Sequence, residues 1–276
     1  MYKFMIGMIG AGTLVVGAWL ILTKTRITHQ EKMKQLIAYD YAHRGLHDLS
    51  MGVPENSMAA FARAVQHGYG IELDVHLTRD GRLAVIHDAT LNRVCGVNGV
   101  VEKLTFRELQ QYELCGTTEK IPELKQVLDL VAGAVPLIIE IKPEHENEGV
   151  LCERISEVLE HYTGKFCLES FDPRVLFWFR RHRPDWLRGQ LTEYFARHGN
   201  KTIHPAADFV LHHVMFNLFT RPDFLAYNTK DRRCLTLRMC RKLFHAAEAD
   251  WTIRDREQFD LVKADGAMTI FENFLP

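Results

Sequence analysis

Short apolar runs alternate with segments of helical periodicity from about residue 37 to the C-terminus. The apolar runs predict strands, and apolar residues that recur every three or four positions predict helices between them. The predicted strands are 37–43, 70–76, 136–142, 166–171, 187–193, 223–228, 249–253 and 266–271. The predicted helices are 56–67, 122–132, 147–162, 173–183, 204–219, 233–247 and 255–264. Strands that alternate with helices form parallel βαβ units, so the chain is expected to be an α/β protein whose eight strands close into a barrel.

One departure from this alternation follows the second strand. Residues 82–87 have the pattern of a further short strand, and residues 92–121 carry no long helical period. We therefore expect a small insertion between the second strand and the helix at 122.

The first residues differ from the rest of the chain, because positions 4–22 carry no charged residue. At about 1.5 Å per residue a helix of this length spans the roughly 30 Å core of a bilayer. A cleaved signal peptide is the competing interpretation, but its apolar stretch is usually only ~7–15 residues long. We expect a transmembrane anchor over residues 1–26, a polar connector over 27–36 and the barrel domain over 37–276.

Charges beside this segment predict its orientation. Lys24, Arg26, Lys32 and Lys34 follow the segment, whereas only Lys3 precedes it. By the positive-inside rule the barrel is expected on the cytoplasmic side of the membrane, with residues 4–22 as the single pass. Six cysteines without a Cys-x-x-Cys pair fit the same reducing compartment.

Polar clusters lie at the ends of four apolar runs. They are His43-Arg44-Gly45, Glu72-Leu73-Asp74, His87-Asp88 and Glu140-Ile141-Lys142. Residues two apart in a strand point to the same face, so the two acids of the second cluster project together. The carboxyl ends of the strands of a parallel barrel lie at one face, and we therefore expect one active site there.

The acids of these clusters indicate a metal. Glu72, Asp74 and Glu140 each follow apolar residues that must be buried, and an unpaired buried charge costs several kcal/mol. A bound cation would remove that cost. Carboxylate oxygens without thiolates favour a hard divalent ion, Mg²⁺ or Ca²⁺.

The same stretches resemble the glycerophosphodiester phosphodiesterases. The resemblance lies in AHRG (42–45), PENSMAAFARAVQHG (54–68), IELDVHLTRDGRLAVIHDATLNR (71–93), IPELKQVL (121–128) and LIIEIK (137–142). It implies a TIM barrel with a small excursion after the second strand. It also implies one divalent cation and the hydrolysis of a phosphodiester to glycerol 3-phosphate and an alcohol.

The two matched histidines are candidates for proton transfer. Hydrolysis of a phosphodiester needs one group to deprotonate the nucleophile and one to protonate the leaving alkoxide. His43 and His87 can fill these roles, and the resemblance favours His43 as the acid and His87 as the base. A histidine in a strand can also be purely structural.

Four further residues are candidates for substrate binding. Arg44 and Lys142 can hold the phosphate, or can pair with the neighbouring acids in the free protein. Glu55 could orient Arg44 or the metal ligands, and Asn56 beside it is a suitable helix cap. Trp251 in DWTI matches a family element whose ring lines the pocket, although core packing would also explain it.

The chain departs from the family pattern in its last quarter. Ile270 stands where the family commonly has Asp, and Arg254 stands where it has Asn. The very apolar stretch 209–219 is expected to pack on the barrel wall. A second interpretation is an apolar lip near the mouth of the barrel, which would accept the acyl chain of a lysophospholipid.

These observations leave two rivals to a glycerophosphodiesterase. One is lysophospholipase D activity by the same residues, and the other is an inactive barrel that binds phospholipid head groups. Nucleic acid is not an expected partner, because the formal net charge is −1 and the basic residues are dispersed.

Overall fold

Eight parallel strands close into a barrel in the computed structural model of the protein, which describes residues 16–26, 28–199 and 203–276. The strands are β1 (Asp40–Ala42), β2 (Gly70–Leu77), β4 (Leu137–Ile141), β5 (Phe166–Ser170), β6 (Arg188–Thr192), β7 (Phe224–Asn228), β8 (Ala247–Ile253) and β9 (Met268–Phe271). They neighbour one another in chain order, and β1 pairs with both β2 and β9. The predicted eight-stranded α/β barrel is confirmed.

Helices follow the strands around the barrel. They are α1 (Gln30–Ile37), α2 (Met58–His67), α3 (Asn92–Cys95), α4 (Phe106–Leu109), α5 (Leu124–Val131), α6 (Glu148–Leu159), α7 (Pro173–His182), α8 (Pro205–His212), α9 (Asn217–Thr220), α10 (Leu235–Phe244) and α11 (Arg256–Ala264). The outward residues of β2, among them Ile71 and Leu73, pack with helix residues such as Phe61 and Leu124 in the largest apolar cluster. The inward residues of β2 are thereby left for the site.

The insertion after β2 is a small folded unit. The short strand predicted over 82–87 is β3 (Leu83–Val85), and the structure pairs it antiparallel with β2. Residues of the insertion form a core of their own, which includes Ile86, Leu91 and Val101. The insertion therefore places His87 beside the end of β2, where the His87 carbonyl oxygen lies 3.1 Å from His76 Nε2.

Helix α1 closes the end of the barrel at which the strands begin, hereafter the closed end. Its Met33 and Leu36 pack with Leu187 and Phe224 inside the barrel. Residues 30–36 of the predicted connector 27–36 thus belong to a helix that packs on the barrel. Met33 and Leu36 are three apart and give one apolar helical face, and the first strand begins at Asp40 rather than at 37.

The predicted helix 204–219 is broken into α8 and α9. The backbone at Val214 has a left-handed φ of 48°, which a continuous helix does not allow. Thr220, the last residue of α9, accepts a hydrogen bond from Arg188 at the start of β6. Residues 217–219, at the end of the apolar stretch, thus lie at the closed end. They do not form an apolar lip at the mouth, so that prediction is wrong for these residues.

The N-terminal segment meets the barrel at the closed end. Residues 16–23 are helical, and the Thr23 carbonyl accepts a 2.9 Å hydrogen bond from Asn217. Arg26 pairs with buried Asp223 at 2.7 Å. Residues 4–15 of the predicted anchor lie outside the described residues. Among the residues that the structure does describe, none belongs to a helix long and apolar enough to cross a bilayer.

Candidate active site

A cavity of about 450 Å³ opens at the carboxyl ends of the strands, hereafter the mouth. Six of the predicted site residues line it, namely His43, Arg44, Glu72, His87, Glu140 and Trp251. Asp74 and Lys142 lie directly behind this lining, since Lys142 Nζ is 3.2 Å from Asp74 Oδ1 and 2.7 Å from Glu140 Oε1. The structure thus brings the four polar clusters together.

Three carboxylates form an acidic triad, defined as Glu72, Asp74 and Glu140. Strand register places Asp74 opposite Glu140, and Glu72 lies two residues before Asp74 on the same face of β2. One oxygen of each acid lies within 4.8 Å of the others, and all three side chains are buried. A donor set of three carboxylates fits a hard divalent cation.

The charge of the triad is incompletely balanced by protein groups. Burial, and then the charges of Asp74 and Glu140, raise the pKa of Glu72 well above its usual range. Burial opposes the charge of Lys142, yet Glu140 and Asp74 raise its pKa above the ordinary value. Lys142 therefore stays protonated beside the triad. The negative charge of Glu72 is destabilised by its surroundings, and a bound cation would stabilise it.

A tight turn after β1 positions His43 and Arg44. Arg44 and Gly45 both have left-handed φ values, of 55° and 79°. A Cβ at Gly45 would lie 2.9 Å from the Ala60 side chain, so this position requires glycine. The turn directs the Arg44 backbone N–H onto Glu72 Oε2 at 2.9 Å and thereby joins the histidine motif to the triad.

His43 is held between two carboxylates. Its Nε2 lies 3.9 Å from Glu72 Oε2, and its Nδ1 lies 3.4 Å from Glu272 Oε1. The second contact is a charge contact without the alignment of a hydrogen bond. Burial lowers the pKa of His43, and Glu272 partly offsets this because it stabilises the imidazolium.

His87 has a carboxylate partner of its own. Its Nδ1 lies 2.6 Å from Asp88 Oδ1, and Arg93 Nε lies 2.7 Å from the other oxygen of Asp88. The His87 hydrogen bond, followed by Arg93, holds the pKa of Asp88 well below its usual range. Each predicted catalytic histidine thus has a carboxylate near Nδ1, and for His87 this contact is a hydrogen bond.

Glu55 links the two histidine motifs. It lies 2.8 Å from Arg44 Nη1 and 2.7 Å from Arg93 Nη2. Glu55 therefore lies behind Arg44, in contact with its side chain, rather than in the cavity lining. A chain of ion pairs runs from Arg44 through Glu55, Arg93 and Asp88 to His87.

Asn56 has a different position from the one predicted. The cap of α2 is Ser57, whose hydroxyl accepts from the Ala60 N–H. Asn56 instead has a φ of 51° and donates from Nδ2 to Asp74 Oδ2 at 2.8 Å. The cap prediction was wrong by one residue, because the Pro54-Glu55-Asn56 turn directs the amide to the triad.

Trp251 lies on an apolar side of the cavity. Its ring meets Phe171 edge to face at 5.7 Å, and Phe171 meets Phe195 in the same manner. Leu191 and Ile270 complete this side. The cavity therefore has a charged wall, built by β1, β2 and β4, and an apolar wall formed by Trp251, Phe171, Leu191 and Ile270. Further polar and charged residues of the lining, among them Lys230 and Arg254, follow β7 and β8.

Two acids of the site were not predicted, and one of them, Glu169, is buried. Glu169 in β5 stands opposite Glu140, lines the cavity and leaves Oε2 without a hydrogen bond among the described residues. Burial, followed by Glu140 and Asp74, raises its pKa well above the usual range. The other is Glu272 after β9, which also pairs with Arg254 at 2.7 Å. Glu169 could have been found, since it ends an apolar run as Glu140 does.

Comparison with known proteins gives a consistent result. A profile described as "Glycerophosphoryl diester phosphodiesterase family" matches residues 43–229, which is more than half of the chain. A glycerophosphodiester phosphodiesterase of Bacillus altitudinis is 41% identical over 52% of the chain and 62% of its own length. A lysophospholipase D of Rattus norvegicus is 35% identical over 55% of the chain and 50% of its own length. The matches thus span half to three-fifths of these relatives.

Solved structures share the fold. A phosphodiesterase of Oleispira antarctica, in complex with the product sn-glycerol-3-phosphate, superposes with a TM-score of 0.69. It is 23% identical, and the match covers 84% of this chain and 92% of that one. A glycerophosphodiester phosphodiesterase of Thermotoga maritima gives a TM-score of 0.64 at 24% identity, with 84% and 93% covered.

Proposed function

Because the chain belongs to the glycerophosphoryl diester phosphodiesterase family, we propose that it hydrolyses glycerophosphodiesters to glycerol 3-phosphate and an alcohol. The observation that carries the proposal is the pair of histidines, each with a carboxylate at Nδ1, beside the acidic triad in one cavity. General acid–base catalysis needs two such proton carriers on opposite sides of the reacting phosphorus.

Glu72, Asp74 and Glu140 would hold one divalent cation, Mg²⁺ or Ca²⁺. Such a cation supplies Lewis acidity toward a phosphoryl oxygen and a template for the glycerol hydroxyls. Support comes from the buried oxygens of the triad and from the raised pKa of Glu72, both of which indicate a demand for positive charge.

Arg44 and Lys142 would bind the phosphate. In the described state both cations contact Asp74, and an arriving phosphodiester offers a second anionic partner to each. The planar guanidinium of Arg44 suits two phosphoryl oxygens, whereas Lys142 contributes a point charge. Glu55 keeps Arg44 in place from behind.

His43 would act as the general acid and His87 as the general base. A phosphodiester anion in the cavity, together with Glu272, favours the protonated form of His43 despite its burial. Asp88 fixes the His87 ring so that its other nitrogen can accept the proton of the nucleophile. Trp251 and the apolar wall would pack against the apolar part of the substrate.

Lysophospholipase D activity is a second candidate. It is supported by the apolar wall of Phe171, Leu191 and Trp251, which can accept carbon-rich groups. A phospholipid-binding barrel without turnover is disfavoured, because binding alone needs neither of the oriented histidines.

We also propose that residues 1–26 anchor the barrel to a membrane, with the barrel on the cytoplasmic side. The proposal is supported by the uncharged run 4–22 and by the basic residues that follow it. Carbonate extraction of membranes that contain the full chain, compared with a variant lacking residues 1–22, tests the anchor.

One substrate panel tests the activity. The purified protein is given glycerophosphocholine, glycerophosphoethanolamine or lysophosphatidylcholine, with Mg²⁺, with Ca²⁺ and with a chelator. We expect release of glycerol 3-phosphate from the first two substrates, and loss of that release with chelator. The variants Glu72→Gln, Asp74→Asn and Glu140→Gln should bind the cation at least about a hundredfold more weakly by calorimetry. The surface variant Glu113→Gln is the control, and unchanged affinity in the three variants would refute the ligand assignment.

A further inference from the structure

A second cavity, of about 390 Å³, lies at the closed end of the barrel, opposite the mouth. Five of its eight lining residues are basic, and the described lining contains no acid. The lining consists of Lys24, Thr25, Arg26, Thr28, Arg180, Pro184, Arg188 and Arg221. This group is hereafter the basic cavity.

Among the described residues, Asp223 is the one carboxylate that forms an ion pair with a residue of the basic cavity. Asp223 accepts from Arg26 Nε and Nη2, each at 2.7 Å, and from the Arg188 backbone N–H at 3.0 Å. The other guanidinium groups donate to carbonyl oxygens. Arg188 donates to Thr220 and Arg221, Arg180 to Phe219, and Arg221 to Lys24. Carbonyls satisfy hydrogen bonds without neutralising charge, so the basic cavity keeps a net positive charge.

Burial adds to this imbalance. Arg188 is almost entirely buried, and burial together with Arg26 lowers its pKa to about 10. Burial and then Arg180 lower the pKa of Arg221 as well. A buried cation with a lowered pKa is stabilised when an anion arrives.

Thr25 provides an independent observation. Its side chain is buried, and among the described residues its hydroxyl has no hydrogen-bond partner. A buried hydroxyl without a partner destabilises the folded protein, so a ligand that accepts a hydrogen bond from it is favoured. A phosphoryl oxygen in the basic cavity would accept from this hydroxyl as well as from the guanidinium groups.

The surroundings of the basic cavity resemble a membrane interface. Lys24 follows the uncharged run 4–22 by two residues. The side chains of Ile21 and Phe219 are exposed at the same end, with exposed fractions of 58% and 53%. Basic residues beside exposed apolar and aromatic side chains are typical of surfaces that contact anionic lipid.

We propose that the basic cavity binds the phosphate of an anionic phospholipid head group, and that this contact seats the closed end of the barrel on the membrane surface. Lys24 and Arg221 reach the head group from the rim. Arg26, Arg180 and Arg188 supply the charge behind them, and Thr25 donates its hydroxyl.

The test uses the full chain in neutral detergent with dihexanoyl phosphatidylglycerol as the probe. Hydrogen–deuterium exchange is followed in segments 180–188 and 217–223, which lie far from the mouth, so that binding in the active site is read separately. We expect the probe to protect both segments. Each cation is worth about fivefold in affinity at an anionic head group. Lys24→Gln/Arg221→Gln should therefore raise the probe concentration that gives half-maximal protection about twenty-five-fold.

Matched variants and ligands decide the result. Lys103→Gln/Arg107→Gln removes the same charge from the insertion and should leave protection unchanged. The variant Lys24→Arg/Arg221→Lys conserves both charges and should be protected as the wild type is, which separates loss of charge from loss of folding. Equal protection by dihexanoyl phosphatidylcholine would overturn the requirement for an anionic lipid. Equal protection by inorganic phosphate would overturn the lipid assignment, and no protection by any ligand would overturn the site.

Discussion

Glu272 Oε1 lies 3.4 Å from Nδ1 of His43, on the side of the ring away from the acidic triad. The family pattern places an aspartate directly after the threonine of the last strand, where this chain has Ile270. A carboxylate nevertheless reaches His43, three residues after Thr269 and from the end of β9. His43 therefore has a carboxylate beside it, although this chain lacks the aspartate of the family pattern.

We expect Glu272→Gln to lower turnover by about ten- to a hundredfold, because the ring of His43 loses its orienting charge. The pKa of His43 should fall, since the carboxylate stabilises the imidazolium. If His43 is the general acid, the alkaline limb of the pH–rate profile should move to lower pH. A profile that keeps its limbs while turnover falls would assign Glu272 a structural function only. The surface variant Glu113→Gln serves as the control.

The two histidines can be distinguished by the leaving group. His43→Ala and His87→Ala should each lower turnover of glycerophosphocholine by about 10²–10⁴. A nitrophenyl ester of glycerol phosphate needs little protonation of its leaving group. The variant without the general acid should recover much of its rate with this ester, and we expect that variant to be His43→Ala. Recovery by His87→Ala would reverse the assignment, and two variants with normal turnover would refute the mechanism.

Stability should depend on pH through a buried pair of acids in β8. Burial, and then Asp250, raise the pKa of Glu248 to about 8, and burial raises that of Asp250 to about 6. Acids with raised pKa values hold more protons in the folded state, so their contribution to stability is greatest at low pH. It is lost as pH rises through the folded pKa.

Glu248→Gln stays neutral and should remove part of this dependence. Between about pH 6 and pH 9 the Tm of the wild type should fall more than that of the variant. Arg232 and Arg241 contact the pair and limit the effect, so we expect a difference of about 2–4 °C, or about 1 kcal/mol. Calorimetry across this pH range measures it, with Glu257→Gln on the exposed face of α11 as the control. Parallel curves would contradict the prediction.

Arg26 should stabilise the closed end of the barrel. Its loss leaves the buried Asp223 carboxylate with one backbone N–H and with His29 Nδ1 at 3.5 Å, so Arg26→Ala should cost about 2–4 kcal/mol of unfolding free energy. Lys34→Ala breaks an exposed pair with Glu31 and should cost less than about 0.5 kcal/mol. Chemical denaturation compares the two variants. Equal effects would mean that the Arg26 pair is no stronger than a surface contact.

The sequence predicts the barrel because its strands are apolar on the outward face and carry chemistry on the inward one. Glu72 and Asp74 could be placed on one face from their spacing, and Glu140 from the apolar run before it. Local periodicity alone therefore predicts the positions of these three residues in the fold. The acidic triad is therefore the most predictable part of the candidate active site.

Other parts depend on contacts between distant residues. Arg93 reaches Glu55 across 38 residues, and no local pattern in the insertion indicates that pairing. The break at Val214 lies within a continuous apolar stretch, so periodicity alone predicts one helix. The sequence predicts Asn56 as a helix cap because it lies directly before a helical segment. The turn that directs its amide to Asp74 has no separate signal in the sequence.

The described N-terminal residues enter the molecule at the closed end, through Thr23 and Arg26. If a bilayer lies against that end, the mouth faces away from it, at a distance of roughly 25 Å, which is the height of the barrel. Molecules dissolved in the surrounding water could then diffuse into the mouth, whereas a lysolipid would first have to leave its bilayer. If the proposed activity and the proposed anchor are both correct, this geometry favours water-soluble, fully deacylated phosphodiesters as substrates.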